Sequence, residues 1–154
     1  MKKTTFILMI GAICLLCASC KIDDTTTDPR DAIVGTYTFT QTGSYSLLSI
    51  TESVDAEGSF DIDKNTSTTT GLVFHGNDFL IKEGWVAGKN TMQIAQIKAS
   101  EPISGYTANY TVTFSPCEVF NKNFTAIGTI NGSVYVSGTY YPITGTVSIT
   151  AKGR

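Results

Sequence analysis

Between residues 106 and 114 the chain alternates without a break. Tyr106, Ala108, Tyr110, Val112 and Phe114 are apolar or aromatic, and Thr107, Asn109, Thr111 and Thr113 between them are polar. Successive side chains of a strand point to opposite faces, so this run is a strand with one dry face and one wet face. Such a strand has to be buried on one side only, which is the habit of antiparallel sheets. The rhythm recurs at Ile33, Gly35, Tyr37 and Phe39, at Phe60 and Ile62, and at Ile143, Gly145, Val147, Ile149 and Ala151. No long window carries an apolar stripe of helical period. About eight to ten strands with short connections predict an all-β domain, an antiparallel meander barrel of about eight strands or else a β-sandwich.

The connections are read from turn chemistry. Gln41-Thr42-Gly43-Ser44 is predicted to turn the chain into a second strand over 45–54, and Asp55-Ala56-Glu57-Gly58 to turn it again. Residues 64–70 are polar and predict a loop. Gly76-Asn77-Asp78 predicts a hairpin turn between strands 71–75 and 79–82, with another strand over 90–99. Ser115-Pro116 ends the alternating strand. Asn131-Gly132 predicts a hairpin turn between strands 124–130 and 133–141.

Ahead of this β region lies a different kind of sequence. Lys2 and Lys3 precede an apolar run of 11 residues, 6–16, interrupted only by Gly11. A helix needs about 20 apolar residues to span a bilayer, so the run fits a secretory signal and not a span. It ends in Leu15-Leu16-Cys17-Ala18-Ser19-Cys20. That ending resembles the lipobox of a bacterial lipoprotein, although Cys17 stands where leucine is usual. The resemblance implies removal of residues 1–19 and attachment to a membrane through lipidated Cys20. Lys21-Ile22-Asp23-Asp24 is similar to the export signal of Bacteroidota surface lipoproteins, which implies the outer face of the outer membrane; a periplasm-facing position is the alternative. Asp24-Thr25-Thr26 resembles an O-glycosylation motif of that phylum, with Thr25 the acceptor.

Loss of residues 1–19 would lower the 11 basic side chains by Lys2 and Lys3 against an unchanged 13 acidic ones. An acidic chain has no footprint for nucleic acid. Cys14 and Cys17 would leave with the signal and Cys20 would be capped, so Cys117 would be the one free thiol, read as a small buried apolar residue. Residues 20–30 are polar, with three threonines and Pro29, and predict an anchor and a flexible linker to a single domain over 31–154.

Few groups in that domain suggest chemistry. His75 is the single histidine, which leaves no multi-histidine metal site. A turn would bring it near Asp78, but the simpler reading is a solvated hairpin-end residue. Asp61-Ile62-Asp63-Lys64-Asn65 begins like a calcium loop, yet Thr66 replaces the required glycine and Leu72 the closing glutamate. No catalytic residue, metal site or cofactor is predicted, and the chain is read as a non-enzyme.

Asp28-Pro29-Arg30-Asp31-Ala32-Ile33-Val34-Gly35-Thr36-Tyr37 and Ile143-Thr144-Gly145-Thr146-Val147-Ser148-Ile149 resemble the two ends of small Bacteroidota lipoproteins with a calycin-like, or lipocalin-like, barrel. In that family the glycine and aromatic open the first strand and close the base of the barrel. An eight-stranded barrel is either filled by its side chains or just wide enough for one small ligand. Tyr37, Phe39, Tyr106, Tyr110 and Phe114 are read as inward aromatics. Trp85, between Gly84 and Gly88, is read as either a ligand contact or a plug of one barrel end. Trp85, Tyr37, Tyr106 and Tyr110 are therefore the candidate ligand contacts. The expected function is a membrane-anchored binding module for a small apolar ligand or an envelope protein. The alternative is a structural or inhibitory envelope component without a cavity.

Overall fold

The computed structural model describes residues 27–154 apart from Asp78 and Ser104. Cys20 and Thr25 lie outside the described residues. After a 3-10 turn at Pro29–Ala32 come eleven strands: β1 (Gly35–Leu47), β2 (Ile50–Ser53), β3 (Ala56–Lys64), β4 (Gly71–His75), β5 (Glu83–Gly88), β6 (Thr91–Ile94), β7 (Ile97–Ile103), β8 (Tyr106–Phe114), β9 (Cys117–Glu118), β10 (Asn123–Val136) and β11 (Thr139–Gly153). All pair antiparallel in one curled sheet, in the order β7-β8-β10-β11-β1-β3-β4-β5-β6-β9, with β2 also on β1.

The sheet meets itself. β6 continues through Ala95-Gln96 into β7, and β8 continues through Ser115-Pro116 into β9. The pairs Met92↔Cys117 and Ile97↔Val112 keep one register, so the two halves form a single long hairpin. Pro116 has no N–H for the ladder. Near this interruption the Gln93 side-chain amide donates to the Phe114 carbonyl at 2.9 Å, and Gln96 donates to the Thr113 hydroxyl at 3.0 Å. β2 and β3 likewise keep one register against β1, with Leu47↔Ile50 and Gln41↔Ala56. The result is a calycin-like meander barrel of eight long strands.

Three predicted turns are strand interior instead. β1 runs straight through Gly43, β3 already begins at Ala56, and β10 runs through Asn131-Gly132. The actual reversals fall at Leu48-Ser49, where Leu48 takes a φ of 57°, and at Ser137-Gly138, with φ of 47° and 91°. The glycines mark close approach of strands, not reversal. A Cβ on Gly43 would sit on the carbonyl oxygen of Thr146, and one on Gly132 on that of Asn109. The predicted return strand over 79–82 is also corrected: this segment is irregular, and β4 pairs with β5.

The two ends of the barrel differ. At the base, Phe60 stacks on Phe79 with centroids 4.1 Å apart and on Tyr37 at 5.4 Å, and Phe39, Phe74 and Phe124 surround it. The 3-10 turn closes this end beneath Ile33, whose carbonyl accepts from the buried Tyr37 hydroxyl. Arg30 ties the turn to the loop after β3 through the carbonyls of Asn65 and Thr68, at 3.0 and 2.8 Å. Lys122 donates to the Val34 carbonyl at 3.0 Å from across the base.

At the other end the wall is incomplete. β4 reaches β3 only at residues 61–64, and β5 reaches only the β6 half of the long hairpin. The outer edges of residues 56–60 and of β7 have no strand partner on that side among the described residues. The irregular segment after β4 has Phe79 and Ile81 buried and Leu80 exposed, and its Phe79 reaches down onto Phe60. Every core residue described lies between Ile33 and Ala151, and every ladder between Gly35 and Gly153. The core and the strand pairs described thus fall within residues 27–154.

Candidate binding site

The interior follows from parity. Inward positions of β1 continue upward from Tyr37 and Phe39 through Gln41 and Gly43 to Tyr45, and those of β8 descend from Tyr110 through Val112 to Phe114. On β2 and β3 the inward series runs back from Ile62 and Phe60 through Gly58 and Val54 to Glu52. Below, the large rings fill the space. Above, Tyr45, Glu52, Val54, Glu101, Pro102, Ile103, Tyr110, Ile130 and Ile143 line a cavity of about 390 Å³ that opens at the end of the barrel. Its floor is a smaller apolar recess of about 70 Å³. The recess shares Val54, Tyr110 and Ile130 with the cavity, and Phe79, Ile81, Phe114 and Val147 also line it. Small-molecule sites usually measure roughly 300–1,000 Å³ and combine an apolar lining with a few polar groups.

Here the polar groups are two phenols and two carboxylates. Tyr45 lies directly across the β1–β2 ladder from Glu52. Burial, first of all, pushes the Tyr110 hydroxyl up to about 12, and its hydrogen bond to Glu101 and the nearby Tyr45 add to the effect. Among the described residues no lysine, arginine or histidine lines the cavity, and neither Glu52 nor Glu101 has an ion-pair partner.

The structure separates the four candidate contacts named from sequence. Only Tyr110 lines the cavity. Tyr37 is fully buried in the closed base, stacked on Phe60. Tyr106 sits at the rim, 45% exposed, because it follows the turn at the strand's outermost rung. Trp85 is on the outside of the barrel, 44% exposed, since β5 turns Gly84 and Val86 inward. It neither plugs an end nor faces the cavity. Its glycine neighbour has a packing reason: a Cβ on Gly84 would lie 2.7 Å from the Gln93 carbonyl oxygen.

Nothing in the sequence marks Tyr45, Glu52, Glu101 or Ile130 as a site residue, and Ile143 stands out there only as part of the alternating last strand. The sequence pattern puts Glu52 on the same strand as Tyr45, because the turn at Leu48-Ser49 lacks glycine, proline, asparagine and aspartate. Inward parity counted back from Phe60 is the signal that finds it.

The remaining reactive groups lie elsewhere. His75 is exposed on the outer face with its Nε2 3.4 Å from Asp63, and Asp78 is outside the described residues. Asp61 accepts from the Thr36 hydroxyl at 2.6 Å, while Asn65 caps the following turn through Ser67. The calcium-like residues are thus spread along an outer strand face and into a loop. Cys117 is buried on β9, beside β6, with its thiol toward the Met92 carbonyl, and burial pushes it up to about 11. No protein-family model matches the chain, and no curated protein aligns with it significantly.

Proposed function

We propose that this protein is a lipid-anchored, non-enzymatic binding module that holds a small, mainly apolar molecule in the open end of its barrel. The cavity of about 390 Å³ over an apolar floor carries the reading. The lipobox-like run ending at Cys20 supports attachment to a membrane, and Lys21-Ile22-Asp23-Asp24 supports the outer face of the outer membrane. In this reading the tether leaves from the closed base, because β1 starts there, and the cavity opens at the far end.

The test is binding of a solvatochromic apolar dye to residues 27–154 and to a Val54→Trp variant. Val54 borders both the cavity and the recess, so an indole there occupies their junction. The expected result is dye emission with the parent barrel that falls sharply in the folded variant. Dye that does not bind the parent, or binds the variant equally well, contradicts the proposal and favours a structural envelope component.

A further inference from the structure

We propose that the preferred occupant of the cavity is an apolar molecule carrying a cationic nitrogen, an alkyl or aryl amine, with its charge at the rim and its body on the floor. This rests on the binding-module reading above and adds the ligand's chemical class.

The lining is asymmetric in both polarity and charge. Depth is apolar: Ile130, Ile143 and Val54 surround the cavity, and Ile81, Phe114 and Val147 the recess below. Charge is confined to the upper strand ends, where Glu52 comes from β2 and Glu101 from β7. Those strands bound the incomplete part of the wall, so the two carboxylates approach the opening from opposite sides. Among the described residues no cation lines the space between them.

Tyr45 and Tyr110 supply the other half of the recognition. Both are half-buried and both line the cavity. A phenol ring attracts a cation over its face, and a carboxylate accepts charge-assisted hydrogen bonds from an ammonium. The same groups disfavour an anion. A fatty acid whose chain filled the recess would bring its carboxylate against Glu52 and Glu101 with no positive group to receive it. An alcohol of equal length could donate one hydrogen bond to a carboxylate but carries no charge to be attracted or repelled. Equal apolar bodies should therefore rank amine, then alcohol, then carboxylate.

Titration calorimetry of residues 27–154 with octylamine, octanol and octanoate below their aggregation limits tests the ranking. Octylamine is expected to bind about tenfold more tightly than octanol, with octanoate weakest. A Glu52→Gln, Glu101→Gln double variant should keep its octanol affinity and lose the amine preference. Octanol affinity reports a preserved cavity independently of charge. Equal binding of amine and alcohol by the parent overturns this inference and leaves the binding module standing. A preference that survives in the double variant also overturns it, because the carboxylates would not be its source. Failure of all three probes to bind overturns both.

Discussion

Phe60→Ala separates a filled base from an open mouth. Phe60 is 2% exposed and is the hub of the aromatic cluster, stacked on Phe79 at 4.1 Å and on Tyr37 at 5.4 Å. Phe-to-Ala changes in cores cost about 3–5 kcal/mol. Loss of two near-parallel stacks, each worth about 0.5–1.5 kcal/mol beyond area, argues for the upper half of that range. The closed base gives the surrounding rings little room to collapse. Against a typical total of about 5–15 kcal/mol, a loss near 4 kcal/mol is severe, lowering Tm by about 15 °C. Tyr110→Ala is the comparison: its ring is half-buried and already faces open space, so it should cost less than half as much. Urea unfolding followed by far-ultraviolet circular dichroism reads both. Tryptophan emission is a poor reporter, because Trp85 is 44% exposed in the folded state. A Phe60→Ala loss below about 1.5 kcal/mol, or a larger loss for Tyr110→Ala, would refute the division of the interior.

Gly132→Val should destabilise by more than the about 1–3 kcal/mol usual for overpacking, because its Cβ would meet the backbone of β8; Gly138→Ala, at a φ of 91° with open space around it, should cost only about 1 kcal/mol in strain, and urea midpoints compare the two. Stability should fall at alkaline pH. Cys117, Tyr37 and Tyr110 have folded values raised to about 11, 12 and 12, each mainly by burial, so their contribution is complete below their ordinary values and is lost as pH rises through the raised ones. Cys117→Ala should flatten the earliest part of that decline in a series of melts against pH. In cells fed an alkyne fatty acid, Cys20→Ala should abolish labelling and membrane retention; a labelled variant would contradict the proposed anchor.

The fold was legible where one face is wet. Tyr106–Phe114 and the last strand alternate cleanly because their threonines face solvent outside the barrel. Reversals were less legible, since glycine serves two purposes in a tightly curved sheet. Gly43 and Gly132 look like turn residues, but they are small because neighbouring backbones pass too close for a Cβ. The true turn at Leu48-Ser49 has no such signature. This hid the cavity: a strand drawn over 45–54 separates Tyr45 from Glu52 by seven residues along one element, whereas the ladder sets them side by side. Trp85 is the single tryptophan and stands between glycines, but parity within β5 puts it outside. The closure near Pro116 depends on glutamine side chains from β6 and the segment after it, which no local pattern announces.

Methyl resonances of the isoleucines and valines, observed while octanol is added to residues 27–154, test the account most directly. Val54, Ile103, Ile130 and Ile143 border the cavity, whereas Ile33 and Ile62 are fully buried at the closed base. The account predicts saturable shifts at the first four and none at Ile33 and Ile62. Unchanged cavity methyls, or shifts spread evenly through both ends, would contradict it.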